Sequence, residues 1–492
     1  MAMIKVENLT FSYPSQDDLI FDNVNFAIDT NWKLGFVGRN GRGKTTFLNL
    51  LQGKYEYSGK ITSSIQFDYF PYQVNDKSKF TYEILQEVCP TADDWEFIRE
   101  FSRLDLDCEV LYRSFDTLSN GEQTKALLSA LFLNDGHFLL IDEPTNHLDS
   151  NARKSVAGYL DKKKGFILVS HDRSFLDGCV DHILSINKAD IEVQSGNFSS
   201  YMTNFERQQN FECKQKEKLS SDIKRLQNAS RQASDWANSV EATKFGTSNS
   251  GSKPDRGYIG HKSAKMMKRA KAVEARQQSA IEQKSALLKN FENTESLKIS
   301  PLAYRSETLV RFSSAAPSYN GNAVCEPVTF EIKRGDRIAL DGKNGSGKSS
   351  ILKLICGLYN EHFGQIRIGS NLSVSYVPQD TSHLKGNLNG FAALRGIDVS
   401  LFKTIIHKMG LDKKQFDKDI SAFSEGQKKK ILIAGSLCEN AHLYVWDEPL
   451  NFIDVYSRIQ IENLLNEFKP TMIFVEHDKA FRDIIATHTI TV

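Results

Sequence analysis

The fold class this 492-residue sequence predicts is α/β: two tandem P-loop nucleotide-binding domains joined by a long antiparallel α-helical hairpin. Three observations predict it. A loop of the form G-x-x-x-x-G-K-[ST] follows an apolar strand pattern twice, from Gly38 to Thr45 and from Gly342 to Ser349. The motifs after each loop recur in one order. Their offsets are 304 residues for Lys44 and Lys348, 305 for Asp142 and Asp447, and 306 for His171 and His477, the mark of a duplication. Between the copies lies a stretch with a different period and a different charge. The expected domains are 1–200, 201–304 and 305–492.

Composition sets the outer bounds. At 40% hydrophobic and 25% charged, the chain has an ordinary globular make-up. Its net charge of +1 hides an asymmetry. Residues 206–293 hold 18 Lys/Arg against 10 Asp/Glu, a net +8 that leaves −7 for the rest. Within 243–276 the balance is 9 against 2, which points to a polyanionic partner or, more simply, a solvated helical face. The seven cysteines are scattered without a C-x-x-C pair, as expected of reduced thiols. The first residues lead into a strand pattern without a signal-peptide profile, and no apolar run approaches the ~20 residues that span a bilayer. A cytoplasmic location without a membrane domain is the expectation.

In the first copy, Ile4–Leu9 alternates like a strand, a second strand lies near Val24–Ile28, and Trp32–Val37 feeds the glycine loop. There Gly38, Asn40, Gly41 and Gly43 let backbone N–H groups close around phosphates. Lys44 reaches the β/γ-phosphates, and Thr45, followed by Thr46, can hold Mg²⁺. Gln73 stands in a loop suited to sensing metal and water. A helical stretch from about 81 to 112 leads to Leu118-Ser119-Asn120-Gly121-Glu122-Gln123. Ser119 and Gly121 can grip phosphate at a helix N-terminus; a plain N-cap serine with Glu122 three residues on fits equally well. Phe138–Glu143 reads as a buried strand ending in two acids, costly unless they serve a metal or a proton. Asp142 suits Mg²⁺, and Glu143 suits polarising a water. Asp149 follows, and after the strand Phe166–Val169 comes His171, placed for a γ-phosphate.

The second copy repeats this with Tyr319 for Tyr13. Its loop is Gly342, Asn344, Gly345, Gly347, Lys348, Ser349 and Ser350, followed by Gln379, Ser424, Gly426, Asp447, Glu448 and His477. Three places depart from the first copy. Tyr72, not Gln73, aligns with Gln379; Phe423 replaces the leucine before the serine; and Asn451-Phe452-Ile453-Asp454 lacks the histidine of Asn146-His147-Leu148-Asp149.

This order of motifs resembles the nucleotide-binding domains of the ABC ATPases, and Asn146–Asp149 with Ser195–Tyr201 resembles their ABC-F branch, whose members lack membrane domains. The resemblance implies that Tyr13 and Tyr319 stack on adenine. It also implies that two ATP molecules with Mg²⁺ lie between the copies, each P-loop facing the other copy's signature. Site one then combines Lys44, Thr45, Asp142, Glu143 and His171 with Ser424 and Gly426. Site two combines Lys348, Ser349, Asp447, Glu448 and His477 with Ser119 and Gly121. Glu143, Glu448, His171 and His477 are the catalytic candidates, and Thr45, Gln73, Asp142, Ser349, Gln379 and Asp447 the metal candidates.

The linker carries two heptad-like series, Leu219–Val240 and Ala270–Phe291, around a Gly/Ser-rich turn. Thirty helical residues reach about 45 Å. A mere spacer needs neither that reach nor a tip, near 243–262, bearing cations. Lys244, Lys253, Arg256, Lys262, Lys265, Lys268 and Arg269 suit RNA phosphates, and Phe245 or Tyr258 can stack on a base or simply pack the turn. The gap of about 45 residues from Gln loop to signature in both copies leaves no room for an extra arm. Resemblance to ABC-F resistance proteins of the Lsa/Vga kind implies a monomer that binds the 70S ribosome. Its linker would enter the exit site toward 23S rRNA and P-site tRNA, displacing lincosamides, pleuromutilins and streptogramin A. A housekeeping ABC-F translation factor and the ATPase subunit of a drug exporter are the alternatives; DNA is not an expected partner.

Overall fold

The computed structural model describes residues 3–14, 19–146, 148–187, 190–208, 301–343 and 345–492. Between 208 and 301 it also describes the helical positions 210–211, 214–215, 218, 221, 224–225, 228, 232, 265, 268 and 275. The chain divides into two compact units. Met1–Tyr201 with Glu295–Val492 forms one, and Met202–Thr294 the other.

In the first unit each copy pairs a small antiparallel sheet with a larger, mainly parallel one. Copy one opens with β1 (Met3–Phe11), flanked by β2 (Phe21–Asp29) and β4 (Ser58–Thr62). The large sheet has the order β5-β6-β7-β3-β8-β9, with β3 Lys33–Gly38, β5 Gln66–Phe70, β6 His137–Asp142, β7 Phe166–Val169, β8 His182–Asn187 and β9 Asp190–Ser195. Only β9 runs antiparallel to its neighbour. The four residues of β7 are all buried, as a parallel strand covered on both faces requires. Phe36, Phe47, Leu140 and Val169 meet in one core cluster, which seats the glycine loop on the sheet's C-terminal edge.

The expected helical stretch from 81 to 112 is broken into α2 (Thr81–Val88), α3 (Asp94–Arg103) and a 3₁₀ turn, Cys108–Tyr112. Pro90 stops the first helix, and Asp93, reciprocally capped with Glu96, starts the next. Asp105, at φ 49, turns the chain after α3. The remaining helices of this copy are α1 (Lys44–Leu51), α4 (Asn120–Leu131), α5 (Ser150–Asp161) and α6 (Arg173–Asp177).

Copy two repeats the plan. Its small sheet centres on β10 (Thr308–Tyr319), paired with β11 (Asn322–Ala323), β12 (Val328–Lys333) and β14 (His362–Ile368). The large sheet is all parallel, ordered β15-β16-β17-β13-β18, with β13 Arg337–Asp341, β15 Val374–Val377, β16 Leu443–Asp447, β17 Met472–Val475 and β18 His488–Thr491. Its helices are α7 (Lys348–Ile355), α8 (Leu388–Leu394), α9 (Val399–Lys408), α10 (Glu425–Cys438), α11 (Val455–Phe468) and α12 (Lys479–Ile485). Residues 302–304, given to the linker by the sequence, bond to this copy: Leu302 N donates to Ala441 O, and the Tyr304 hydroxyl to Ser370 O at 2.8 Å.

The described residues of the second unit are all helical and almost all exposed, Lys265 and Lys268 among them. The linker-tip candidates Lys244, Phe245, Lys253, Arg256, Tyr258, Lys262 and Arg269, with the turn itself, lie outside the described residues, as do His147 and Asn344.

Candidate active site

Site one begins where β3 ends. The chain leaves Gly38, passes Gly41 at φ 80, and enters α1 from Gly43 at φ 95, a left-handed N-cap. A Cβ on Gly43 would lie 2.5 Å from Ile20 Cγ2, so both space and backbone demand glycine there. Lys44 Nζ donates to Gly38 O at 2.7 Å, and Thr45 Oγ1 to Asp142 Oδ2 at 2.8 Å. The Tyr69 hydroxyl donates to the same oxygen at 3.1 Å. β6 thus delivers Asp142 to the N-terminus of α1. The next residue, Glu143, turns into left-handed backbone at φ 51 while its N–H holds Val169 O at 2.9 Å. A non-glycine residue there is strained, and such strain gathers at functional positions.

Copy two closes this site. Ser424, Glu425 and Gly426, with Asp412, Lys414, Gln415 and Phe452, join Tyr13, Asn40, Lys44, Thr45, Asp142, Glu143 and His171 around a cavity of about 820 Å³. Asn40 Nδ2 donates across to Phe452 O at 2.5 Å. A Cβ on Gly426 would fall 2.5 Å from that oxygen and 2.7 Å from Asn40 Nδ2, so the approach of the two copies needs a bare backbone.

Site two has the reciprocal make-up. Lys348, Ser349, Ser350, Gly345, Gly347, Gln379, Glu448 and His477 face Ser119, Asn120, Gly121 and Asp149 across a cavity of about 990 Å³. Lys348 Nζ donates to Gly342 O at 2.9 Å and Lys343 O at 2.6 Å. Ser349 Oγ donates to Asp447 Oδ1 at 3.1 Å. Both signature serines also cap their helices: the Ser119 hydroxyl accepts from Glu122 N at 3.3 Å and Ser424's from Gln427 N at 3.4 Å. The cap and the cavity-facing position coexist in one residue.

The electrostatics differ between sites. Burial, reinforced by Asp142, pushes the Glu143 carboxyl up to about 8. Burial lowers Lys44 and drives His171 well below its ordinary value, so the imidazole is neutral. Glu448 behaves oppositely. Burial alone would raise it, but His477, Asn451 and Lys429 outweigh that and hold it below the usual carboxylate value. Gln379 Nε2 and Asn451 Nδ2 donate to Glu448 Oε2 at 2.9 and 2.6 Å, and His477 Nε2 is 3.5 Å from Oε1. In site one His171 Nε2 lies 3.3 Å from Glu143 Oε1.

ATP and Mg²⁺ fit this donor set. Glu143 Oε1 and, in the second glycine loop, Ser346 Oγ are buried yet accept no hydrogen bond, an expensive arrangement unless a ligand group satisfies them. Each hydroxyl–carboxylate pair, Thr45–Asp142 and Ser349–Asp447, offers the hard oxygen donors that Mg²⁺ takes. Burial raises Asp142, and raises Asp447 to about 6, a cost that a nearby cation offsets.

One expected residue, Gln73, stands elsewhere, and the two tyrosines are placed unequally. Gln73 is exposed and lines a separate cavity of about 330 Å³ with Tyr69 and Tyr72, while its counterpart Gln379 lies in site two. Tyr13 lines site one with its hydroxyl 2.9 Å from Thr46 Oγ1. Tyr319, 42% exposed, packs on Tyr359 at 4.6 Å with its hydroxyl 3.4 Å from Ser350 Oγ, the contact equivalent to Tyr13's, and Val324 lines site two. Sequence reasoning missed Asn40's reach across the interface, and also Asp107 and Asp412, which line opposite sites. The latter had a signal: each stands 12 residues before its signature serine.

Comparison with known proteins agrees with this geometry. The family model described as ABC transporter matches residues 21–146 and 325–451, just over half of the chain. The chain is 25% identical over 489 residues to the ribosome protection protein VmlR of Bacillus subtilis, covering 96% of this chain and 83% of that one. It is 27% identical over 483 residues to the ATP-binding protein Uup of Caulobacter vibrioides, covering 96% and 74%. Among solved structures, it matches the archaeal ribosome recycling factor aABCE1, solved with the ribosomal stalk protein aP1, at a TM-score of 0.63. That match has 20% identity and covers 98% of this chain and 87% of that one, a likeness of fold. Among the described residues no helix is long and apolar enough to cross a membrane. With tandem nucleotide-binding domains and two sites built from both, this chain is an ATPase and belongs to the ABC transporter family.

Proposed function

We propose that this ATPase acts on the 70S ribosome as an ABC-F protection protein, using nucleotide-driven closure of its two copies to place the cationic linker at the exit site. The observation that carries the reading is the span of the similarity to the ribosome protection protein VmlR. It runs over 96% of the chain and so includes the linker that the family model leaves out. The +8 charge of 206–293 suits rRNA and tRNA phosphates. Lys244, Lys253, Arg256, Lys262, Lys265, Lys268 and Arg269 supply that charge toward the tip, with Phe245 and Tyr258 as stacking candidates.

In each site the lysine and helix N-terminus bind the phosphates, and the other copy's signature helix caps the γ-phosphate. Thr45 with Asp142, and Ser349 with Asp447, would hold Mg²⁺, which would supply neutralisation of phosphate charge. Glu143 and Glu448 orient the attacking water, and the neutral His171 contacts the γ-phosphate in site one as His477 does in site two. Contacts across the interface that exist only with the γ-phosphate favour the closed form, and hydrolysis removes them.

Displacement of lincosamides, pleuromutilins and streptogramin A, as in the Lsa/Vga kind, is the activity assigned to the linker. With Glu143→Gln and Glu448→Gln combined, the protein should co-sediment with ribosomes in ATP. If it stays wholly in the supernatant, the reading fails. Expression in a sensitive Gram-positive host should raise inhibitory concentrations of those drugs. The comparable identity to Uup keeps a translation-factor role as the second reading, and unchanged inhibitory concentrations would favour it.

A further inference from the structure

Outside the two cavities, one set of contacts between the copies converges on α6, which starts two residues after His171. At its N-terminal end the Arg173 guanidinium donates to both carboxylate oxygens of Glu462, one at 3.0 Å, and lies 3.7 Å from Asp478 Oδ2. Asp478 also takes Arg458 at 3.0 Å, and Arg458's other nitrogens hold the carbonyls of Leu450 and Ile453, each at 2.9 Å. Between those two carbonyls lies Phe452, whose own oxygen takes Asn40 of the site-one phosphate loop. Charge-assisted bonds therefore run from α6 to Arg458, and the 450–453 backbone with the neutral Asn40–Phe452 bond completes the path to site one. At the C-terminal end of α6, Asp177 accepts from Ser199 N at 2.7 Å. Two residues on, the Tyr201 hydroxyl lies 2.7 Å from that of Tyr456, on the same helix α11 that carries Arg458 and Glu462.

We infer that Arg173 and Tyr201 are positioning residues that tie closure of the two copies to the point where the chain leaves the first copy for the linker. The duplication supplies the control. At the 306-residue offset Arg173 becomes Lys479, and at the 305-residue offset Glu462 becomes Ala157. Lys479 is exposed, and an alanine methyl cannot accept its proton. A forked guanidinium–carboxylate pair resists sliding in two directions; the lysine and alanine at the equivalent positions can form no such pair. The inference needs nucleotide-dependent closure but no ribosome, so it stands or falls apart from the ribosomal reading.

Hydrogen–deuterium exchange on the full chain carrying Glu143→Gln and Glu448→Gln, with and without ATP, tests it. The Ser199 amide, itself a donor to Asp177, is the reporter. ATP should slow exchange across 198–208 by about tenfold or more. Arg173→Ala and Tyr201→Phe should each erase most of that slowing while both phosphate loops stay ATP-protected; Lys479→Ala should leave it intact. The reversal Arg173→Glu with Glu462→Arg should restore part of it, which a merely structural loss would not. If Arg173→Ala misfolds, Tyr201→Phe, which removes one oxygen, carries the test. ATP slowing that survives both variants, fails in the parent, or vanishes equally in Lys479→Ala overturns the inference.

Discussion

Glu143 and Glu448 occupy the same point of two copies of one motif, both in left-handed backbone at φ 51 and φ 45. Their surroundings set them apart. Two side-chain amides and an imidazole attend Glu448, and its carboxylate is held below the usual value. Glu143 has a neutral imidazole and the charge of Asp142 beside it, and it is pushed up to about 8. His477 does most to lower Glu448, followed by Asn451 and Lys429, and Thr124 stands at the copy-one position that matches Lys429. Where Gln379 reaches Glu448, the aligned residue is Tyr72, and Gln73 lines another cavity. A duplicated acid inherits its motif, but its proton affinity is set by the neighbours that each copy has kept.

The largest effect that probes this contrast is removal of each acid in turn. A positioned base contributes roughly 10²–10⁴-fold to a rate. Glu448→Gln should lower phosphate release by about 10²-fold or more, and Glu143→Gln by a smaller factor at neutral pH, where part of Glu143 is protonated. Equal losses would break the comparison. The pH profile sharpens it. Glu143 is an acid whose value is raised, so its carboxylate form fills only as pH climbs toward about 8. The Glu448→Gln variant, working through site one, should speed up with rising pH. The Glu143→Gln variant, working through Glu448, should already be level there. Bound Mg²⁺ lowers both midpoints, but site one's should remain the higher; a reversed order refutes the electrostatic account.

Much of this architecture was legible because phosphate binding demands particular residues at particular spacings. Gly43 must be left-handed, Lys44 must open the helix, and Asp142 must end a buried strand, so each left a mark in the sequence. The break of the 81–112 stretch was readable too, in Pro90 and the Asp93–Glu96 cap, had local punctuation been weighed above periodicity. What could not be read were the pairings between copies. Asn40 with Phe452, or Arg173 with Glu462, are residues far apart in the chain whose meeting depends on how two whole domains dock. The displacement of Gln73 showed only as a one-residue shift against Gln379, whose consequence appears in three dimensions alone.

Gly426→Ala probes the interface itself and should have an intermediate effect. The added methyl would press on Phe452 O, a backbone atom with little freedom to yield, and would push the Asn40 amide off its bond to that oxygen. Overpacking of this kind costs about 1–3 kcal/mol. Nucleotide affinity at site one should weaken by about 10–100-fold, read by titration with a fluorescent ATP analogue in a Lys348→Ala background that reports this site alone. Unchanged affinity would mean that nucleotide binds without the copies meeting as they do here.

The smallest effect separates how each copy fastens its own helical layer. In copy one, α3 is held through Glu100, 1% exposed, which accepts from the Tyr159 hydroxyl and from Lys163, both at 2.7 Å. In copy two the residue 305 positions after Tyr159 is Leu464, packed in an apolar cluster with Ile405 and Ile406. Tyr159→Phe keeps the ring and removes one bond to a charged, buried acceptor, worth about 1.5–3 kcal/mol. For a domain of this size each kcal/mol shifts the midpoint by about 2–4 °C, so calorimetry should find the first copy's transition several degrees lower. Burial alone would raise Glu100, but its contacts to Lys163, Tyr159 and Arg103 hold it below its ordinary value. Its stabilising contribution is therefore present above that value and fades as pH falls through the lowered one, and the deficit should narrow in acid. A deficit that stays constant from neutral pH into acid would mean that Tyr159 acts through packing, as Leu464 does, and that the two copies are fastened alike.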